Sequence, residues 1–98
     1  MSFEGAIIGK SGKYKNQCLE LKNDVEVFVS ENMDFTFYKI NNPICGIFYD
    51  VQNEIYCINI YQSNHIFMKS GLPLGINRQY HFMRKEIIIL DKLEFELA

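Results

Sequence analysis

Two histidines and three cysteines are the residues of this 98-residue chain best suited to covalent or metal chemistry. Cys45 or Cys57 with His65 would make a thiol–imidazole pair, in which the base generates a nucleophilic thiolate. Such a pair needs a third group to orient the imidazole, and none stands out. His81 lies in the run Tyr80-His81-Phe82-Met83 and reads as a packed or rim residue of a strand. Zinc would require ligands at tight spacing, which these positions do not offer. The segment Gly5-Ala6-Ile7-Ile8-Gly9-Lys10-Ser11 resembles a phosphate-binding loop. It has three residues between the glycines where the motif needs four, and no helical pattern follows to aim N–H groups at a phosphate. Lys10, Lys13 and Lys15 read first as a solvated loop, with an anion-binding edge as the second reading. We therefore expect no enzyme, no cofactor and no metal.

The elements that must position these residues are strands. Glu54-Ile55-Tyr56-Cys57-Ile58-Asn59-Ile60-Tyr61 alternates like a half-buried strand. Gln62-Ser63-Asn64-His65 follows as a polar turn, Ile66-Phe67-Met68 as a short strand, and Ser70-Gly71-Leu72-Pro73-Leu74 as a second turn. Ala6-Ile7-Ile8, Cys18-Leu19-Glu20-Leu21, Val25-Glu26-Val27-Phe28-Val29, Phe35-Thr36-Phe37-Tyr38 and Cys45-Gly46-Ile47-Phe48-Tyr49 also read as extended. Asn41-Asn42-Pro43 breaks the middle of the chain, and Asp50-Val51-Gln52-Asn53 closes a hairpin. The runs 86–90 and 93–97 flank a two-residue turn, Asp91-Lys92, with Leu93, Phe95 and Leu97 facing inward and the glutamates outward. Short strands with a turn every eight to twelve residues imply a single all-β domain over residues 1–98, a sandwich or barrel. Its functional residues belong on the rim where loops gather.

Composition narrows the class. Ten Lys and Arg oppose twelve Asp and Glu, interspersed in sign, which argues against a nucleic-acid partner. The longest wholly apolar run, 87–90, is far too short to span a membrane as a helix. Met1-Ser2-Phe3-Glu4 has no basic start followed by an apolar block, so we expect no signal peptide. An odd number of widely spaced cysteines implies reduced thiols in the core of a cytoplasmic protein.

The order and spacing of these turns resemble those of the forkhead-associated (FHA) domain, a small β-sandwich that binds phosphothreonine peptides. Cys45-Gly46-Ile47-Phe48-Tyr49-Asp50 resembles the strand after the family histidine. Ser63-Asn64-His65-Ile66-Phe67 falls on the family Ser-Asn-Gly-Thr-Phe, 70–74 on its Asn-Gly turn, and 86–97 on its last hairpin. The resemblance implies an FHA-like sandwich of about eleven short, mainly antiparallel strands. The departures fall on the phosphate-binding residues. The family Gly-Arg pair falls on Val29-Ser30, and Ser-Arg-x-His on Asn41-Asn42-Pro43-Ile44. Losing an arginine and a serine contact removes on the order of 3–5 kcal/mol of phosphate affinity, at roughly 1.5–3 kcal/mol per charged hydrogen bond. His65 replaces a glycine, and histidine tolerates the positive φ that glycine implies better than a β-branched residue would.

The resulting expectation is a phospho-independent protein–protein interaction or assembly module. Its peptide-binding candidates are Ser30, Asn41, Asn42, Ser63, Asn64 and His65. Exposed Tyr61, Phe67 or Tyr80 would serve as apolar anchors. Domains resembling this without the arginines are docking parts of bacterial type III and type VII secretion machines, so the resemblance implies a secretion or signalling complex and allows a homo-oligomer. True phosphothreonine recognition is the alternative within binding modules. The cysteine-dependent enzyme is the alternative from another class.

Overall fold

The computed structural model describes residues 5–98 and is all-β, with two antiparallel five-stranded sheets packed as a sandwich. The strands are β1 (Gly5–Gly9), β2 (Cys18–Leu21), β3 (Val27–Val29), β4 (Phe35–Thr36), β5 (Cys45–Asp50), β6 (Ile55–Ile60), β7 (Ile66–Met68), β8 (Arg78–Phe82), β9 (Ile87–Leu90) and β10 (Leu93–Leu97). One sheet has the order β2-β1-β10-β9-β7 and the other β4-β3-β5-β6-β8. The only helical turn among the described residues is a 3₁₀ turn, Gly12–Tyr14. Among the described residues no helix is long and apolar enough to cross a membrane.

Ten strands form among the described residues where about eleven were expected. Leu72-Pro73-Leu74, in the stretch expected as a turn, folds back along β7. Met68 N donates to Leu72 O and Leu74 N to Ile66 O, with a single bridge between Phe67 and Pro73. Proline has no N–H to continue a ladder, so this arm stops short of being a strand. The segment expected to be strand over 25–29 is shorter too. Asp24 takes φ 61° and Val25 is exposed, leaving three residues in β3. β4 keeps only Phe35 and Thr36 of its four expected residues.

Period-two alternation builds the core. Val27, Val29, Ile47, Tyr49, Tyr56, Ile58 and Ile60 point inward from one sheet, and Ile7, Ile66, Ile88, Leu90, Phe95 and Leu97 from the other; all are buried. Glu94 and Glu96 alternate outward, and Leu93 packs against the core as expected. The Asp91-Lys92 turn is of type I′: both residues have positive φ, 46° and 72°, and Leu90 pairs with Leu93.

The register also decides which loops meet. β1, β3, β6 and β9 finish at one end of the sandwich, where β2, β4, β5, β7, β8 and β10 begin. The β1–β2, β3–β4, β6–β7 and β9–β10 connections therefore share that rim, and the β4–β5 and β7–β8 connections return to it. Tyr14 joins two of them, donating its hydroxyl hydrogen bond to Met33 O while its ring packs edge-on to Phe35 at 5.6 Å.

Candidate functional site

Ile44 ties the rim together. Its side chain is fully buried immediately before β5. Its N–H donates to Val29 O at 2.8 Å, and its carbonyl accepts from Tyr61 N at 3.0 Å and Gln62 N at 3.1 Å. The ends of β3, β5 and β6 are thus joined through one backbone unit. Gln62 extends the link, donating from Nε2 to Asn42 O at 2.8 Å and to Pro43 O at 3.3 Å. The position where the family resemblance puts a histidine holds the loops by its backbone and apolar packing instead.

The six peptide-binding candidates divide. Asn41, Ser63 and Asn64 are exposed, and their side chains make no hydrogen bond among the described residues. Asn42 is exposed as well, with φ 55°. Ser30 is committed to its own loop: its Oγ accepts from Asn32 N at 3.2 Å and Asp34 N at 3.1 Å. His65 holds two connections together. Its Nδ1 lies 2.7 Å from Asp91 Oδ1, and its carbonyl accepts from Asp91 N at 2.8 Å. The positive φ expected at His65 belongs to Asn64, at 68°. Asparagine visits that region readily because its short side chain can satisfy local backbone groups.

The three lysines do not assemble into an anion site. Lys10 pairs with Glu96 at 3.3 Å on the outer face of the first sheet. Lys13 reaches across to Asn32 O at 3.5 Å, and Lys15 is exposed beside Gly9. The Gly5–Gly9 stretch that resembles a phosphate loop is β1 itself. Of the three expected anchors only Tyr61 stands at the rim, 41% exposed. Phe67 is half-buried on the outer face beside Ile89, and Tyr80 turns inward with its hydroxyl accepting from Gly75 N at 2.9 Å.

The thiols are poorly placed for nucleophilic work. Cys45 is fully enclosed, and burial first, then the charges of Glu26 and Asp91, push its pKa far up. Burial, with Asp50 adding to it, also raises Cys57. Both shifts oppose thiolate formation, the reverse of what a reactive cysteine needs. Cys18, expected in the core, is exposed on the edge strand β2. Among the described residues no three His, Cys, Asp or Glu gather as a metal site would require.

An open groove of about 740 Å³ runs from this rim onto the outer face of the second sheet. It is lined by Glu26, Phe28, Glu31, Lys39, Pro43 and Tyr61, with Asn42 and Gln62 at its end. Glu26 and Phe28 face outward two residues apart. The Glu26 carboxylate lies flat over Gly46, where a β-carbon would come within 2.5 Å of Glu26 Cδ. Tyr61 Oη donates to Glu26 Oε2 at 2.7 Å and Asn59 Nδ2 to the same oxygen at 3.1 Å. Gln79 Nε2 donates to Asn59 Oδ1 at 2.9 Å, and His81 Nε2 lies 3.1 Å from Gln79 Oε1. A polar line thus crosses the sheet face, its charged end being Glu26. A smaller cleft of about 300 Å³ opens between the edges of β2 and β4 onto Ile7, Phe35 and Phe95. None of the six peptide-binding candidates belongs to it.

The chain matches no known protein family, no characterised protein and no solved structure. The groove's chemistry is therefore read from its own residues.

Tyr61 reports directly on that chemistry. Burial, then the hydrogen bond to and charge of Glu26, push its pKa up to about 12 from the ordinary 10.0. A neutral phenol whose folded pKa is raised stabilises the fold fully below the unfolded value. That contribution is lost as pH rises from 10 towards 12, because the unfolded chain releases its proton first. The melting temperature should therefore fall over this window, and by less in Tyr61→Phe. Melting curves of the two proteins collected between about pH 9 and 12 check this, and parallel declines would contradict it.

Proposed function

We propose that this chain is a non-catalytic protein–protein interaction or assembly module that engages its partner through the loop rim of an FHA-like sandwich without reading a phosphate. The observation that carries the reading is the groove at the rim, which contains Glu26, Glu31 and a single cation, Lys39, and no arginine. A phosphodianion there would face two carboxylates and one flexible lysine, whereas phosphate recognition relies on forked, charge-assisted donors. The three connections that the resemblance assigns to the site do meet, through Ile44 and Gln62. Asn41, Ser63 and Asn64 present unengaged side chains beside them, suited to the backbone of an extended peptide. Docking within a bacterial secretion or signalling complex in the cytoplasm is the setting that the resemblance implies.

The test is a titration of isotope-labelled protein with phosphothreonine peptides and their unphosphorylated counterparts, followed by amide chemical shifts. Shifts should gather on residues 30–32, 41–43 and 61–65, with the same affinity for both members of each pair. Phosphate-dependent micromolar binding, or shifts confined to another surface, would sink the reading.

A further inference from the structure

The charges and rings of the groove specify what kind of side chain it accepts. Resting on the interaction-module reading, we propose that the groove binds an arginine side chain of the partner segment. Glu26 provides the anionic contact. Its Oε2 is occupied by Tyr61 and Asn59, so the carboxylate is held in one place, while Oε1 takes no hydrogen bond from the described residues. The backbone allows this fixing: Gly46 lacks the side chain that would lift the carboxylate off the sheet. Phe28 and Tyr61 stack beside it, with ring centroids 6.4 Å apart and planes inclined by 22°. A guanidinium is planar and can lie on an aromatic face while one of its N–H groups reaches a carboxylate oxygen, here Oε1, which suits this arrangement better than a compact ammonium does. Glu31 on the β3–β4 loop adds a second negative charge at the mouth, and Lys39 opposite reduces the sum to one net negative charge. Pro43 and Gln62 close the end nearest Asn41, Ser63 and Asn64, so a segment lying along the rim can place one side chain in the groove while its backbone meets the asparagines.

The experiment begins with selection of a display library of random short peptides on the immobilised protein. Arginine should be enriched at one position among the peptides that bind. The strongest binder is then titrated with arginine or with citrulline, its neutral isostere, at that position. Citrulline should weaken binding by roughly tenfold to a hundredfold, the range of a hydrogen-bonded charge contact. Glu26→Gln, which keeps an oxygen for Tyr61 to donate to, should produce a similar loss. Gly46→Ala, whose methyl displaces the carboxylate, should do the same, and Glu20→Gln on the exposed face of the other sheet should change nothing. Selected peptides that bind at residues 41–43 and 61–65 but lack arginine, or tolerate citrulline, overturn the arginine proposal and leave the interaction module standing. No selectable peptide at all overturns both.

Discussion

Gly9→Ala should cost this protein about 3–5 kcal/mol, the loss typical of removing a large aromatic from a core. The reason is backbone against backbone. A β-carbon on Gly9 would overlap the Tyr14 carbonyl oxygen, come within 2.5 Å of the Tyr14 carbonyl carbon and within 2.8 Å of its Cβ. Gly9 cannot retreat, because its N–H donates to Gln17 O and its carbonyl accepts from Asn16 N, both at 2.9 Å. The β1–β2 connection must therefore lift, and Tyr14 with it. Tyr14 packs on Phe35 and Phe95 at 5.6 and 5.8 Å and bonds to Met33 O, so its displacement opens the sandwich at the rim. For a domain this small the melting temperature should drop by roughly 15 °C or more. Gly71→Ala is the comparison. That glycine has φ +96° and open space for at least 4 Å around the place a methyl would take, so only backbone strain of about 1 kcal/mol is expected. A Gly9→Ala protein melting within a few degrees of the parent would show that the connection yields without disturbing the core.

Gly9 also illustrates what a sequence can and cannot reveal here. The last hairpin is legible because Leu93, Phe95 and Leu97 alternate strictly with Glu94 and Glu96, and a two-residue gap permits one kind of turn. The Asn-rich connections are legible as turns, and asparagine does take the positive φ at 16, 42, 64 and 77. The ends of β3 and β4 are not, because β-propensity in Val25 and Phe37-Tyr38 is overridden where the sheet offers no partner to pair with. The groove escapes a sequence reading for a different reason. Its parts come from residues 26, 28, 31, 39 and 61, which no motif links. Two local signs are present: an acid just before β3 and an aromatic two residues on, both on the solvent face, and Gly46 inside β5. A glycine within a strand often marks close approach by another group, and here the group is the Glu26 carboxylate. The tie made by His65 is invisible in the sequence because its partner, Asp91, lies 26 residues away and only the sheet register brings it near.

Restoring the lost donors should convert the rim into a phosphate reader, if its ancestry is the one the family resemblance implies. The variant is Ser30→Arg with Asn41→Ser and Asn42→Arg, at the positions aligned with the family's Gly-Arg and Ser-Arg. Three charge-assisted contacts at roughly 1.5–3 kcal/mol each would give about 4–9 kcal/mol if buried; on this solvent-exposed rim they contribute on the order of 3–5 kcal/mol. Two local costs act against this. Ser30 Oγ now satisfies Asn32 N and Asp34 N, a loss of about 1 kcal/mol when arginine replaces it. Asn42 sits at φ 55°, where arginine costs roughly another 1 kcal/mol. The remainder is about 1–3 kcal/mol, a gain of roughly fivefold to a hundredfold in phosphothreonine-peptide affinity over the parent. Glu26 and Glu31 face the same space, so adding Glu26→Gln and Glu31→Gln should raise the gain further by removing like charge from the phosphate's surroundings. Calorimetric titration with a phosphopeptide and its unphosphorylated twin measures both steps. The unphosphorylated twin should gain nothing from either. A folded triple variant with no preference for phosphate would mean that residues 30, 41 and 42 do not converge on one ligand group. The FHA-like reading would then fall, while the side-chain contacts proposed for arginine would stand, since Glu26, Phe28 and Tyr61 are not among the grafted positions.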